Sequence, residues 1–437
     1  MADASTKRAA GTAVSAAEPE RHAADQGQSS TARLEAFHTA HGRRPVVLHI
    51  TGDYPDEVRE PTTQAVKALI DGTVDVDHVI ISLKRLADPR KAYLVRCSPP
   101  AANQKLFAVG HHGLPFGVGL GAMFDAVAKT IARILRDEDF HVDLIHAHRL
   151  TFDGLAGERL ATQLGVPLFL SVRGEVERKV LRYKPTYRPR LARLTARAAR
   201  VYLVSAWYGA ELERFTGFKA AQAQLLPNIV RNARTPIEPQ PPEDAFVIAA
   251  NLDIARKKGI ARLIKAFAIA GEALGETRLD VFGAGTDASR AQLQALIARL
   301  NLEDRVTLKG AVSNDAFLAR LPRYLALALP SRNETFGMVY TEALFAGVPI
   351  LYGRSTGIDG YLSGLHVGIG VNPSDMKEIS QGLCALKRDN EALRRRISSA
   401  SEELMSRFDG AVTLQRYRND LAEALHVHAR GAGELKP

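Results

Sequence analysis

Between residues 246 and 353 short apolar runs and amphipathic stretches alternate without a break, and few architectures accept that pattern. FVIAANL (246–252), RLDVFGAG (278–285), RVTLKGAV (305–312) and LALALP (325–330) read as buried strands. Between them, 258–272, 287–300 and 314–324 read as helices; in the first, Ile260, Leu263, Ile264 and Phe267 form one apolar face. Strands separated by helices of this length pair in parallel through right-handed crossovers. The predicted fold class is therefore α/β, with a doubly wound, Rossmann-like sheet.

The last unit is SRNETFGMVYTEALFAGVPI (331–350): a polar loop, a helix over about 336–346, Gly347 as a stop, and a strand over 348–353. Ligands bind where such a loop leaves a strand's carboxyl end, because the first amides of the following helix are unpaired and favour an anion such as phosphate. Glu334 and Glu342 bracket this turn, the second about two turns into the helix. A carboxylate beside a phosphate site is suited to accept hydrogen bonds from hydroxyls. Phosphate and hydroxyls together suggest a nucleotide sugar. Two acids eight apart are a weak signal alone; the specificity lies in Phe336-Gly337 between them and EALFAGVPIL after them.

With those flanks the stretch resembles the E-x7-E signature of the retaining glycosyltransferases of family 4, which have the GT-B fold. The resemblance implies two Rossmann-like domains facing across a cleft and a C-terminal helix crossing back to the first. It implies that Glu334 orients the sugar hydroxyls, that Glu342 holds the ribose, and that the amides of Gly337 and Met338 stabilise the leaving diphosphate. Lys258 matches the family's diphosphate lysine, a role that suits a cation opposing the dipole of its own helix. Asn251 stands where an arginine is expected, so either Arg256 or Lys257 compensates or the grip on the diphosphate is weaker. DLIHAHRLTFDGLAGERLATQLGVPLFLSVRG (143–174) matches a segment whose strand-closing histidine, here His148, points at the transferred sugar. On the acceptor side the chain departs from the common form. Only Gly52, followed by Asp53, remains of the glycine-rich first loop, and Arg173 replaces a histidine where a cation would meet an anionic acceptor. The resemblance implies no cofactor and no metal.

The first half also reads as strands and helices, with VVLHIT (46–51) opening and strands near 77–83, 141–148, 166–172 and 200–208. The residues up to about 105 after the second strand look basic and irregular, and the glycines of 110–121 do not form GxGxxG, so a loop is expected there. His146 and His148 share a face of their strand, which permits an H-x-H metal pair but supplies no third ligand nearby. A disordered tail is expected over 1–42, an acceptor domain over 43–230, a linker over 231–244 with four prolines, a nucleotide-sugar domain over 245–405, and a helix and tail over 406–437.

The 437 residues are enough for two full cores. No run approaches the roughly 18 apolar residues of a membrane span. The start has no apolar region of a secretory signal, and Cys97 and Cys384 suggest no disulfide framework, so a cytoplasmic location is expected. Net charge is +10, and 178–200 holds nine Lys or Arg and no acid. This basic stretch is either a solvated helix pair or a peripheral contact with anionic membrane; nucleic acid is disfavoured by the lack of any RNA-binding signature. The expected substrates are a nucleotide sugar and a glycan or lipid-linked acceptor. An epimerase or phosphorylase on the same fold, or a catalytically silent binding protein, remains the alternative.

Overall fold

The computed structural model describes residues 29–58, 63–113, 120–230 and 240–434. The first sheet contains β1 (Val46–Thr51), β2 (Asp77–Leu86), β3 (Tyr93–Cys97), β4 (Gln104–His112), β5 (Leu144–Ala147), β6 (Leu168–Val172), β7 (Arg200–Leu203) and β8 (Gln224–Leu225). Its order is β3-β4-β2-β1-β5-β6-β7-β8, and every pairing is parallel except β3 with β4. The second contains β9 (Ala245–Ala249), β10 (Arg278–Phe282), β11 (Val306–Gly310), β12 (Ala326–Leu329), β13 (Ile350–Gly353) and β14 (Gly368–Val371). It is parallel throughout, in the order β11-β10-β9-β12-β13-β14. Neighbouring residues such as Val247 and Ile248, which point to opposite faces, are both fully buried. A sheet covered on both sides needs strands that are apolar on both sides, and that is why these runs do not alternate with polar residues.

The two doubly wound domains of the GT-B fold are thus present, and the helix Gly410–Glu434 returns to the first of them. Asp409 caps its start by accepting from the amides of Ala411 and Val412. Tyr417, Leu421 and Leu425 then join a core with Val47, Leu144, Phe169 and Tyr202.

Part of the expected tail proves to be structure. Residues 1–28 lie outside the described residues, but Ser30–His41 is a helix, capped by Ser29 at its start and closed by Gly42 in the left-handed region. Leu34 buries into the core beneath the C-terminal helix, and Gln415 of that helix donates to Ser30 Oγ. The residues read as irregular before position 105 also fold, into the end of β2 and an antiparallel β3–β4 pair. β3 is the sheet edge, with three of its five residues exposed, so its composition carries little apolar signal. The predicted loop over 110–121 is partly strand, since β4 runs to His112, and 114–119 lie outside the described residues, as do 231–239 of the expected linker. Among the described residues no helix is long and apolar enough to cross a membrane.

Among its parallel strands each sheet reverses its strand order once, at β1/β5 in the first and β9/β12 in the second. Loops that leave neighbouring strands in opposite directions open a crevice at such points. The predicted site residues fall at these two points, except Arg173, which follows β6.

Candidate active site

At the β9/β12 reversal, Lys258 and Glu334 meet: the ammonium donates to Glu334 Oε2, and both side chains are mostly shielded from water. Lys258 does not begin the long helix as expected. It closes the one-turn helix Ala255–Lys258, Gly259 breaks the chain at φ 82°, and a new helix runs Ile260–Ala270. A Cβ on Gly259 would lie 2.5 Å from the Pro330 carbonyl oxygen, so glycine is what lets the loop after β9 approach the loop after β12. The backbone of Glu334 is held by its amide donating to Thr356 Oγ1 (2.7 Å) and by Gly357 donating to its carbonyl (2.8 Å).

Gly337, at φ 79°, then turns the chain into the helix Met338–Phe345. A Cβ there would strike the Tyr340 ring at 2.5 Å and Glu334 Cγ at 3.0 Å. The helix starts two residues later than predicted, which places Glu342 just over one turn in, half-buried. Burial raises its pKa, against a hydrogen bond with Asn314. Asn251 serves as a cap, accepting from the Asp253 amide at 2.8 Å. Of the two residues expected to replace the missing arginine, Lys257 is paired with Glu175 of the first domain at 2.9 Å, while Arg256 makes no ion pair among the described residues.

At the β1/β5 reversal, Asp53 accepts from Arg149, and a Cβ on Gly52 would stand 2.9 Å from the Arg149 guanidinium. Asp153 and Glu177 are buried beside this pair, and burial pushes Asp153 up to about 7 and Glu177 in the same direction. Arg173 was expected to meet an anionic acceptor. It is instead buried, donating through Nε to the His148 carbonyl at 3.0 Å and so fixing the end of β5. Sequence reasoning missed Arg149, Asp153 and Glu177; their signal was charged residues inside an otherwise apolar strand-to-helix segment.

His146 and His148 do share a face, and the expectation of no third imidazole nearby is wrong. β1 aligns His49 with His146, and nitrogens of His49, His146 and His148 lie within 4.8 Å of one another. Hydrogen bonds occupy them. His146 contacts Tyr417 Oη and Ser171 Oγ, both at 2.9 Å, and His49 contacts His148 Nε2 at 3.0 Å and His78 Nδ1 at 2.9 Å. The set includes no carboxylate or thiolate to offset a cation's charge, and both nitrogens of His49 and His146 are engaged, so these donors fit a hydrogen-bonded cluster better than an ion. Burial lowers the pKa of all four rings, His146 to about 3.

The two domains meet across a seam where residues at the ends of β6 and β7 reach the loops after β9, β12 and β13. Tyr361 donates to the Leu203 carbonyl at 2.9 Å, and Ser205 Oγ lies 2.6 Å from the Thr335 carbonyl oxygen. Beside it is a cavity of about 250 Å³ lined by Arg178, Lys179, Arg182, Trp207, Arg332 and Glu334 among others. The basic stretch 178–200 is therefore not one exposed face. Arg178 and Arg182 line the cavity, Arg188 stacks on Phe215, and Arg200 pairs with Asp420 and Glu423.

Two family models match the chain: "Glycosyltransferase Family 4" over residues 75–234 and "Glycosyl transferases group 1" over residues 234–403. The lipopolysaccharide core biosynthesis glycosyltransferase LpsD of Rhizobium meliloti is 31% identical over 41% of this chain, and the match spans half of that relative's length. The D-inositol 3-phosphate glycosyltransferase of Paenarthrobacter aurescens is 26% identical over 65% of this chain and 74% of its own. Among solved structures, Anabaena Alr3699/HepE in complex with UDP superposes with a TM-score of 0.61 at 16% identity, covering 86% of this chain and 99% of that one.

Proposed function

Because the chain belongs to the glycosyltransferases of family 4 and has their GT-B fold, we propose that it moves a sugar from a nucleoside diphosphate to a hydroxyl acceptor with retention of configuration. The observation that carries this reading is the meeting of Lys258 and Glu334 at the second domain's strand-order reversal, beside a cavity that residues of both domains line. As the glycosidic bond breaks, positive charge develops on the sugar and negative charge on the diphosphate. An arriving diphosphate takes Glu334's place as the partner of Lys258, and the freed carboxylate turns to the sugar hydroxyls. Lys258 and the amides of Gly337 and Met338 stabilise the departing diphosphate without a metal ion. Glu342 holds the ribose, and His148 positions the sugar. The UDP bound to the Anabaena neighbour supports a nucleoside diphosphate as donor.

For the acceptor we favour an anionic glycan or lipid-linked precursor. Arg178, Arg182 and Arg332 surround the cavity beside Glu334, and among the described residues only Arg178 has a carboxylate within 4 Å, Glu211 at 3.8 Å. The names of the two relatives, one in lipopolysaccharide core biosynthesis and one acting with D-inositol 3-phosphate, agree with an anionic acceptor. A lipid-linked acceptor would place the enzyme on the cytoplasmic face of a membrane. Arg190, Arg193 and Arg197, which make no ion pair among the described residues, would meet anionic lipid there.

Calorimetry with UDP, GDP, ADP and their common sugars, on the full chain and on Lys258→Ala and Glu342→Ala, tests the donor site. One base is expected to bind, and Lys258→Ala to weaken it about tenfold or more, the loss of a charge-assisted hydrogen bond. No binding to the folded protein, or binding indifferent to both substitutions, overturns the reading.

A further inference from the structure

Beside the Lys258–Glu334 pair the cations outnumber the carboxylates that face them. Glu334 is spent on Lys258, and Glu175 on Lys257 and Lys179. Arg256, Arg262 and Arg332 are left over, and none of them forms an ion pair among the described residues. The chain brings these three together. Arg256 lies in the one-turn helix Ala255–Lys258 and Arg262 in the first turn of Ile260–Ala270. Arg332 lies in the loop after β12, where its amide reaches the Lys257 carbonyl at 3.4 Å. Arg262 Nη2 stands 3.7 Å from where a Cβ on Gly259 would be, beside the crossing of that glycine with Pro330. Burial lowers the pKa of Arg262, and the charges of Arg332 and Arg256 lower it further.

Packing alone gives Arg262 no reason to be there. Its Nε and Nη2 are buried without a hydrogen-bond partner. A buried donor left unmade costs about 1–3 kcal/mol, and more on a charged group. The helix that it opens has no acid in its first turn and no side-chain cap, so the dipole opposes the cation as well. One anion would relieve the like charges, the unmet donors and the dipole together. The place is open to one: Arg262 is half-buried, Arg256 and Arg332 are exposed, and Arg332 lines the cavity of about 250 Å³ together with Arg178 and Arg182 of the first domain.

We propose that Arg256, Arg262 and Arg332 form a second anion site, beside Lys258, and that it takes the dianion of a phosphate monoester. Three guanidinium groups without a counter-charge match more than the single charge of a carboxylate, and the planar fork of each fits two phosphoryl oxygens. The phosphoryl group belongs either to the acceptor or to free inorganic phosphate. In the first case the proposal rests on the sugar-transfer reading above and deepens it, because the nucleotide domain then holds the anionic end of the acceptor.

The test is calorimetry on the full chain with inorganic phosphate, glucose 6-phosphate and glucuronate, each in the presence of saturating UDP, GDP or ADP, whichever binds. Both phosphates are expected to bind with the nucleotide in place, and glucuronate about tenfold more weakly or worse. Trp207, the chain's one tryptophan, lines the cavity with Arg178 5.6 Å from its ring centre, so its emission should change in the same titration. Arg262→Gln should weaken both phosphates about tenfold, the loss of a charge-assisted hydrogen bond, and leave the affinity for the nucleotide within about twofold. Arg262→Lys keeps the charge without the fork and should recover only part of the loss. Tighter binding of glucose 6-phosphate than of inorganic phosphate identifies an acceptor, and the reverse identifies the free ion; either upholds the site. Phosphate that competes with the nucleotide, glucuronate that binds as well as glucose 6-phosphate, or binding indifferent to Arg262→Gln overturns the proposal. Should Arg262→Gln fail to fold, the competition and the glucuronate comparison on the unsubstituted protein still decide it. If phosphate binds and no nucleoside diphosphate does, the site stands and the transferase reading falls. If the nucleotide binds and phosphate does not, the site falls alone.

Discussion

At the scale of single residues, the molecule keeps neutral four imidazoles that the unfolded chain would charge. His49, His78, His146 and His148 have folded pKa values below the unfolded value, with burial the leading cause in each. Their contribution to stability is present above about pH 6.5 and is lost as pH falls, because the unfolded chain then binds protons that the native state refuses. Asp153 acts in the opposite sense. Its folded pKa is raised to about 7, so it favours the native state as pH falls from about 7 towards 4. Stability measured by urea titration is therefore expected to decline between pH 7 and 5.5. In Asp153→Asn the decline should steepen by about one proton, ~1.4 kcal/mol per pH unit. A flat profile would mean that the imidazoles are not buried as neutral rings. The same residues show how far a sequence can be read. His146 and His148 are legible as a pair because strand periodicity puts them on one face. His49 lies almost a hundred positions away and joins them only through the register of β1 on β5. Lys258 and Glu334 were each legible from their motifs; that they pair was not, because the meeting depends on Gly259 passing against Pro330.

At the scale of elements, apolar strands flanked by helices were plain in the second domain because a strand buried on both faces leaves an unbroken apolar run. β3 and the helix Ser30–His41 were not, since an edge strand with most of its residues exposed and a helix with one buried leucine leave almost no pattern. The closing helix shows what holds such an element once the pattern ends. Asp420, 4% exposed, accepts from Arg200 Nε at 3.0 Å, Tyr202 Oη at 2.8 Å and Gln224 Nε2 at 3.1 Å, gathering β7 and β8 under one carboxylate. Glu423, one turn on, pairs with the same Arg200 but is 38% exposed. Asp420→Ala is expected to cost about 3 kcal/mol, because it leaves the Tyr202 hydroxyl and the Nε–H of Arg200 without their acceptor while Glu423 holds only the other end of that guanidinium. Glu423→Ala should cost no more than about 1 kcal/mol, since water replaces the exposed partner. Urea midpoints compare the two. Equal losses would mean that the helix is held by its apolar face alone.

At the scale of the whole molecule, polar contacts such as those of Ser205 with Thr335 and of Lys257 with Glu175 join the two domains, and the Lys258–Glu334 pair and the cationic cavity sit against that seam. Tyr361 on the Leu203 carbonyl and Lys257 on Glu175 are bonds of the kind that domain opening would exchange for water. The chain's one tryptophan, Trp207, stands at this place: it lines the cavity with Glu334, its Nε1 is buried with no partner among the described residues, and Gly360 of the second domain packs where a Cβ would come within 3.0 Å of its amide. Opening the seam would bring water to that indole. Tyr361→Phe removes the cross-domain hydroxyl while keeping the ring in its place against Phe336 and Phe408, and should shift the closed-to-open balance by about 1 kcal/mol, roughly fivefold. The tryptophan emission is then expected to move to longer wavelength in the variant and to return when a sugar nucleotide draws the domains together. If the emission moves in neither case, the seam does not open during binding. The site would then be a fixed cleft that Lys258 and Glu334 serve without closure.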